Sequence, residues 1–580
     1  MRKKEHGSLN ELAMSANRYK YLISAIIRIW LSMIVGIWFP ADQTYDDALM
    51  ILYADLKAYF INGDQREIML KELGMPMVLQ ITKILKIPYP ALIGILWILA
   101  AAIGALIIRK LAKSEKLAFF IYLFILFQPS AFESWCGTRF YRAGLLNPLY
   151  FITILLAVLI ALEYESHAGI GKMSLLSIGL GLVFSLTYYI KEDGPWLLMT
   201  LLFIMAFWWI NAVRNKSFFF QKKGRLKSLA VLLMPLLLFG LVSLGYRSVN
   251  YHYFGVFETN MRTSGQPMRF VQNVYRIDAE GKTDRIWASK DAIEKAFEAS
   301  PTLKKAPELK DAVLHTNWQG GDIGENPMEG DRLTWVMKDA VMDTGMAENQ
   351  AQKQDFFRKV NRELEEAFKN GSLQKDHKRI FLFSSIGGIS KRGLFRGVGD
   401  GADLFRRHVL LAGYVPGATI YNSPQLQDIC EKASIFSNFQ LTAYTSETGL
   451  DYMQSEKDFA NRIISVIFAV YRILIPAALG FATIGLFAKI RKVFLNRKSK
   501  NNPAGAGDWC HILKALGFLG IAGIYCYIIA VFCFTFAEEA APAEIMYSAG
   551  LPSILTAYII LGICMLPFFT PHVPAAGQTD

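Results

Sequence analysis

The stretch "YLISAIIRIWLSMIVGIWF", residues 21–39, decides the fold class. It carries a single charge, Arg28, and approaches the roughly 20 residues a helix needs to cross hydrocarbon. Before it lies the basic segment "MRKKEHGSLNELAMSANRYK", and no small-residue cleavage site follows, so the run reads as a retained anchor rather than a removed signal peptide. Similar runs recur at about 90–108, 117–132, 145–163, 173–190, 195–213, 228–246, 463–487, 511–535 and 550–569, which predicts ten spans. The chain has 580 residues, 53% of them hydrophobic, with a mean hydropathy of +0.27, more apolar than soluble domains. An α-helical polytopic membrane protein is expected.

Lys and Arg placement sets the expected orientation, because cytoplasmic loops collect them. The N-terminal tail, "RKLAKSEK" (109–116), "RNKSFFFQKKGRLK" (214–227) and "KIRKVFLNRKSK" (489–500) are all basic. With the N-terminus inside, ten spans put all four on the cytoplasmic side, together with the weakly charged "ESHAGIGK" (165–172). The formal charge of +13 is thereby largely explained without nucleic acid. The expected organisation is a basic tail (1–20), a membrane module (21–246), an extracytoplasmic, mostly helical domain (247–462), further membrane helices (463–569) and a tail (570–580). "SKDAIEKAFEAS" and "NQAQKQDFFRKVNRELEEAFKNG" have helical apolar spacing, whereas "FEASPTLKKAPELKDA" and "GGDIGENPMEGD" read as breaker-rich loops. "MPMVLQITKILKI" (75–87) reads as an interfacial helix.

Outside the membrane, on this reading, several charged elements share one surface. They are Asp46 and Asp47 in "PADQTYDDALMILYADLK", Glu133, Arg139 and Arg142 in "ESWCGTRFYRAG", and Lys191, Glu192 and Asp193 in "KEDG". Carboxylates beside cations at a bilayer surface suit transfer of a sugar from a lipid-linked phosphate. A base takes the acceptor's proton, and positive charge from Arg, Lys or a divalent metal steadies the departing phosphate. Neighbouring acids diverge on a helix by about 100°, so one of the pair is expected to act as base and the other to hold a neighbour. Asp46 is placed ahead of Asp47 as base. Plainer roles compete: Thr44 or Asp46 as the cap of an amphipathic helix through "DALMILYADLKAYFI", Glu133 as a loop acid, "KEDGPW" as a turn, and both arginines as interfacial anchors.

Five stretches, "YDDALM", "MLKELGMP", "RFYRAG", "KEDGPWLL" and "GDRLTWVMKDA", resemble a poorly characterised bacterial family of glycosyltransferase-like membrane proteins. The wider arrangement of an acidic first outer loop, an amphipathic helix and a second outer-loop acid resembles the GT-C class of membrane glycosyltransferases. The resemblance covers roughly the first 250 residues and one stretch of the insert. It implies a GT-C-like fold and an inverting transferase that takes a polyprenyl-phosphate sugar. It implies a base at Asp46 or Asp47, and metal or acceptor positioning by Glu133 with Mg or Mn. Arg139, Arg142 and Lys191 would then hold the donor phosphate, supported by Tyr45, Glu192 and Asp193. The partners implied are the lipid bilayer, the lipid-linked sugar and an envelope acceptor. The alternative is a transporter or an envelope scaffold that displays the outer domain, although neither interrupted spans nor repeats favour a transporter.

Other motifs carry less. "SSIGGISKRGLFRGVGDGADLFRRHV" (384–409) lacks a phosphate-loop pattern and reads as a basic stretch at lipid headgroups or a loop. "QGGDIGENPMEGDR" lacks calcium-loop spacing, and the histidines and six cysteines show no ligand spacing. Arg28 is expected to snorkel to the inner surface, Arg472 to sit deeper, and Trp38 and Tyr188 to belong to the interface belt.

Overall fold

The computed structural model describes residues 2–39, 45–55, 64–166, 169–192, 194–214, 225–316, 323–325, 327–382, 386–418, 427–441, 447–497, 506–536 and 541–569. Among these the chain is all-helical, with only isolated β-bridges and no strand. Among the described residues, eight α-helices come first: α1 (Arg2–Val35), α2 (Tyr45–Asp55), α3 (Gly74–Leu85), α4 (Tyr89–Ala112), α5 (Glu115–Leu126), α6 (Arg142–Glu165), α7 (Ile170–Tyr188) and α8 (Pro195–Arg214).

Six helices are long and apolar enough to cross a membrane: Tyr89–Ala112, Arg142–Tyr164, Ile170–Tyr188, Leu229–Phe254, Gln454–Leu495 and Trp509–Thr535. Each of the ten stretches expected to span overlaps a helix, but two of those helices are short. α5 has 12 residues and Leu551–Ile563 has 13, about 18–20 Å at 1.5 Å per residue, less than a bilayer's ~30 Å core. Past α5 the chain turns at Pro129 and widens into a turn of π-helix, Ser134–Thr138, a distortion common at functional sites.

α6 is the hub, buried along its whole apolar length against α4, α7, α8 and Leu551–Ile563. Outer helices keep large apolar side chains exposed, such as Leu237 and Leu241 on Arg225–Phe254, and Ile473 and Ile484 on Glu447–Arg497. Outward apolar faces of this extent are what a lipid-facing surface requires. α3 presents Met77, Ile81 and Ile84 outward, as an interfacial helix would. By contrast α2 is buried on most sides, at Leu49, Met50, Ile51 and Ala54, and so is no surface helix.

The insert has its own core around Phe270, Trp287, Val336 and Phe357. Its expected edges, 246/247 and 462/463, fall inside continuous helices, Arg225–Phe254 and Glu447–Arg497. Lys290–Ala299 and Gln350–Asn370 form as their spacing predicts, with Ser289 accepting from the Ala292 amide at 3.3 Å and Asn349 from Gln352 at 3.0 Å. "FEASPTLKKAPELKDA" is not a loop. It holds the short helices Pro301–Lys304 and Pro307–Leu314, because a proline suits the first helical turn, where its missing N–H is not needed.

The Gly-Arg stretch is likewise helical, over Lys391–Leu410. Gly397 and Gly401 face Ala506–Phe536, and a Cβ at Gly401 would lie 3.1 Å from the Tyr527 Cα, so the helices pack at backbone distance. Trp38 is buried and donates its indole N–H to the Ser134 carbonyl at 2.9 Å, which removes it from any interface belt. Arg28 is buried rather than snorkelling, and Arg472 lies on an exposed face.

Candidate functional site

Backbone pairing brings the segment after α1 to the segment between α5 and α6. After α1, Trp38 donates its amide to the Thr138 carbonyl at 3.2 Å, and Phe140 donates back to Trp38 at 2.8 Å. α2 therefore starts beside "RFYRAG". The loop before α3 is pinned to the end of α7, where Gly74 donates to the Tyr189 carbonyl at 2.8 Å. A Cβ on Gly74 would lie 2.6 Å from that same oxygen, so only glycine allows this approach. The insert straps the same loop from above, with Met261 donating to the Met69 carbonyl at 2.6 Å.

Asp46 and Asp47 sit in the first turn of α2 and point to different partners, as adjacent helical residues must. Asp46 accepts from Lys71 Nζ at 2.9 Å and Tyr141 Oη at 2.8 Å, and Arg142 Nη2 lies 3.9 Å away. Its carboxylate serves no backbone amide as a cap. Asp47 is fully buried and receives Arg139 in a two-pronged pair, Nε at 2.9 Å and Nη2 at 3.1 Å. Arg139 lies over the rings of Trp135 and Tyr141, at 4.8 and 4.9 Å.

A second run of charge continues from Arg142, at the start of α6. It donates to Glu192 at 2.6 Å, and Glu192 lies 3.3 Å from Arg262, which donates to Asp331 at 3.0 Å. Trp335 lies against the cations, 4.8 Å from Lys71 Nζ and 5.4 Å from the Arg262 guanidinium. All five resembling stretches thus contribute to one cluster. Of its acids Asp46 is the most open, its side chain 32% exposed against 0% for Asp47, 7% for Glu192 and 17% for Asp331.

The charges tune one another. Burial alone would raise the Asp46 carboxyl, but Lys71 and Arg142 outweigh it and hold the group at about 2, ionised. Burial pushes Asp47 up to about 7 against the pull of Arg139. It lowers the Lys71 ammonium to about 8 despite Asp46, and drives the Tyr141 phenol well above its ordinary value, so Tyr141 remains a donor. Glu192 would also rise with burial, yet Arg142 and Arg262 hold it well below the usual carboxylate range.

Other expected residues fall elsewhere. The Glu133 carboxylate turns back to cap the π-helical turn, accepting from the Cys136 amide at 2.7 Å, and does not meet Asp46. Burial is the first cause of its rise to about 7. Lys191 lies 4.6 Å over the Tyr547 ring. Asp193 and the side chain of Tyr45 lie outside the described residues. The divalent metal implied by the resemblance finds no fitting donor set. Asp46, Asp47 and Glu192 each face cations, and the described residues hold no group of three or more acids, histidines or cysteines suited to a metal. All six cysteines are free thiols.

Reading the sequence alone missed Lys71, Tyr141, Arg262, Asp331 and Trp335. Lys71, Tyr141, Asp331 and Trp335 stand inside the five resembling stretches, but their partners lie across the fold. Arg262 stands in "TNMRTSG", which has no distinguishing pattern. A Ser548–His408–Tyr414 chain, at 2.6 and 2.8 Å, imitates a nucleophile with its base. Ser548 also bonds the Glu544 carbonyl, and with Ser548 donating there His408 Nε2 is the donor to Ser548, the wrong polarity for activating a hydroxyl. Comparison with protein-family models, curated proteins and solved structures finds no match to this chain.

Proposed function

We propose that the chain is a GT-C-type membrane glycosyltransferase, moving a sugar from a polyprenyl-phosphate donor to an acceptor hydroxyl outside the cytoplasmic membrane. On this reading ten spans place the N-terminus inside and the insert outside. The observation that carries it is the convergence of five distant stretches on one ionised, half-open carboxylate ringed by buried cations.

Asp46 takes the acceptor's proton as the new bond to the anomeric carbon forms, while the bond from that carbon to the lipid phosphate oxygen breaks on the opposite face, with inversion. A group held at about 2 is a weak base in the resting site. The acceptor hydroxyl becomes acidic only as its oxygen bonds to carbon, so a weak base suffices when transfer is late. Donor phosphate also competes for Lys71 and Arg142, which loosens their hold on Asp46 and raises its basicity. Arg142, Arg262 and Lys71 then balance the leaving phosphate. Asp47 acts at one remove, fixing Arg139 at the rim.

The test is purified full-length protein in lipid nanodiscs, given a panel of polyprenyl-phosphate sugars and watched for released lipid phosphate. Turnover that disappears in Asp46→Asn supports the reading. Equal turnover in Asp46→Asn, with the fold intact, overturns Asp46 as the base, and no turnover by the unaltered protein with any donor overturns the transferase reading and favours a displayed scaffold.

A further inference from the structure

Arg28 lies in α1, 1% exposed, and its guanidinium stacks 4.3 Å over Phe132 with Trp97 at 5.9 Å. Its Nε and Nη1 have no hydrogen-bond partner. Both are buried donors on a group that stays charged inside the protein. An apolar-run arginine of this kind ordinarily pairs with an acid or lines a polar path. Here the residues around it include Ser32, Gly36, Ile93, Gly137 and Thr138, which border a cavity of about 20 Å³, and no acid borders it.

We propose that this cavity binds one small inorganic anion, of halide size, as the missing counter-charge of Arg28. A hollow needs about 10–15 Å³ to accept a water-sized group, so this one has room for a small occupant. Water would satisfy the N–H groups but leave the charge unbalanced, and a buried charge without a partner is the costlier defect. Ser32 Oγ donates to the Arg28 carbonyl at 3.0 Å and Thr138 Oγ1 to the Gly417 carbonyl at 3.0 Å. The Ser32 hydroxyl can rotate to the anion, whereas Thr138 is committed to the loop beyond. Because Gly137 and Thr138 form the far wall, the anion braces the underside of the loop that carries Arg139. The site is therefore structural and distinct from the Asp46 cluster.

The experiment is thermal unfolding of the full chain in detergent at constant ionic strength, with chloride replaced stepwise by gluconate, which is too large to enter. Chloride should raise Tm saturably, by about 2–4 °C, and Arg28→Met should abolish the response. A flat response in the unaltered protein, or the same response in Arg28→Met, overturns the proposal. Should Arg28→Met fail to fold, crystals of the unaltered chain soaked in bromide decide. Anomalous density at hydrogen-bond distance from the Arg28 guanidinium supports the site, and an occupant without anomalous signal overturns it.

Discussion

The carboxylates of Asp46 and Asp47 hang from consecutive residues yet belong to two different regions. Asp47 enters a closed interior, fully buried, and spends both oxygens on Arg139. Asp46 stands at the edge of an open one, bound by Lys71 and Tyr141 with part of its surface free. One turn of helix thus supplies one enclosed and one open carboxylate, and their surroundings differ because their exposure and partners differ. A pair of adjacent acids should be judged by what each one faces, not by the motif they share.

The largest effect should come from the open side. Asp46→Asn keeps the shape, removes the base, and should lower sugar transfer by about 10²–10⁴-fold with Tm nearly unchanged. Assay of released lipid phosphate beside a melting curve reads both, and a variant that loses stability instead would erase the contrast with Asp47. Asp47→Asn should act on the fold. It leaves Arg139 buried and removes the carboxylate charge that Asp47 sets against it, a defect of about 3–5 kcal/mol when one partner of such a pair is removed. Low yield of monodisperse protein is expected, and Asp47→Leu with Arg139→Met should restore folding while leaving transfer impaired. If Asp47→Asn is as stable as the unaltered chain, Asp47 is not the anchor.

The same contrast explains what was readable from sequence. Helices were legible because long apolar runs and capped amphipathic periods leave few alternatives. Asp46, Asp47, Arg139 and Arg142 were legible because they sit in short, charge-dense segments between such runs. Glu133 was misleading: its position beside a span end matches that of a site acid, but its direction depends on a π-helical turn that no spacing rule foretells. The helix Lys391–Leu410 was hidden for the opposite reason. Its glycines read as breakers, and only the close approach to Tyr527 makes them useful. Arg262 lay beyond reach, and the role of Trp335 could not be read from its own stretch, because the insert meets the segment before α3, a contact written in neither segment alone.

A third measurement sharpens the difference between open and closed carboxylates. Glu72 is buried with Asn260 and Thr259 as donors, and burial, then the charge of Glu192, pushes it up to about 8. Its folded value lies above its unfolded one, so the folded chain holds a proton that the unfolded chain releases. The resulting stabilisation is complete below about pH 4 and is lost as pH rises through about 8, at up to ~1.4 kcal/mol per pH unit. Tm should therefore fall between about pH 5 and 8, and Glu72→Gln, which keeps the neutral shape, should flatten the fall. An identical slope in Glu72→Gln would mean the proton resides elsewhere.

The smallest effect tests whether the insert truly roofs the open side. Lys338, on the insert helix Arg332–Asp343, reaches Glu67 at 2.9 Å and Asp339 at 2.8 Å, and Arg66 reaches Asp343 at 3.1 Å. Arg66 and Asp343 are about half exposed, so that pair contributes little, whereas the Lys338 side chain is only 6% exposed and contributes most of the latch, about 1 kcal/mol. Trp335 stands on the same helix, three residues earlier, against Lys71. Loosening Lys338 should consequently loosen the roof over Lys71 before it affects Asp46. Lys338→Glu should raise the KM for the lipid-linked donor several-fold with kcat held within about twofold, and adding Glu67→Lys should bring KM back. A change confined to kcat would place Lys338 in the chemistry instead. No change in either constant would show that the insert merely rests on the loop, and the open region would then owe its shape to the membrane helices alone.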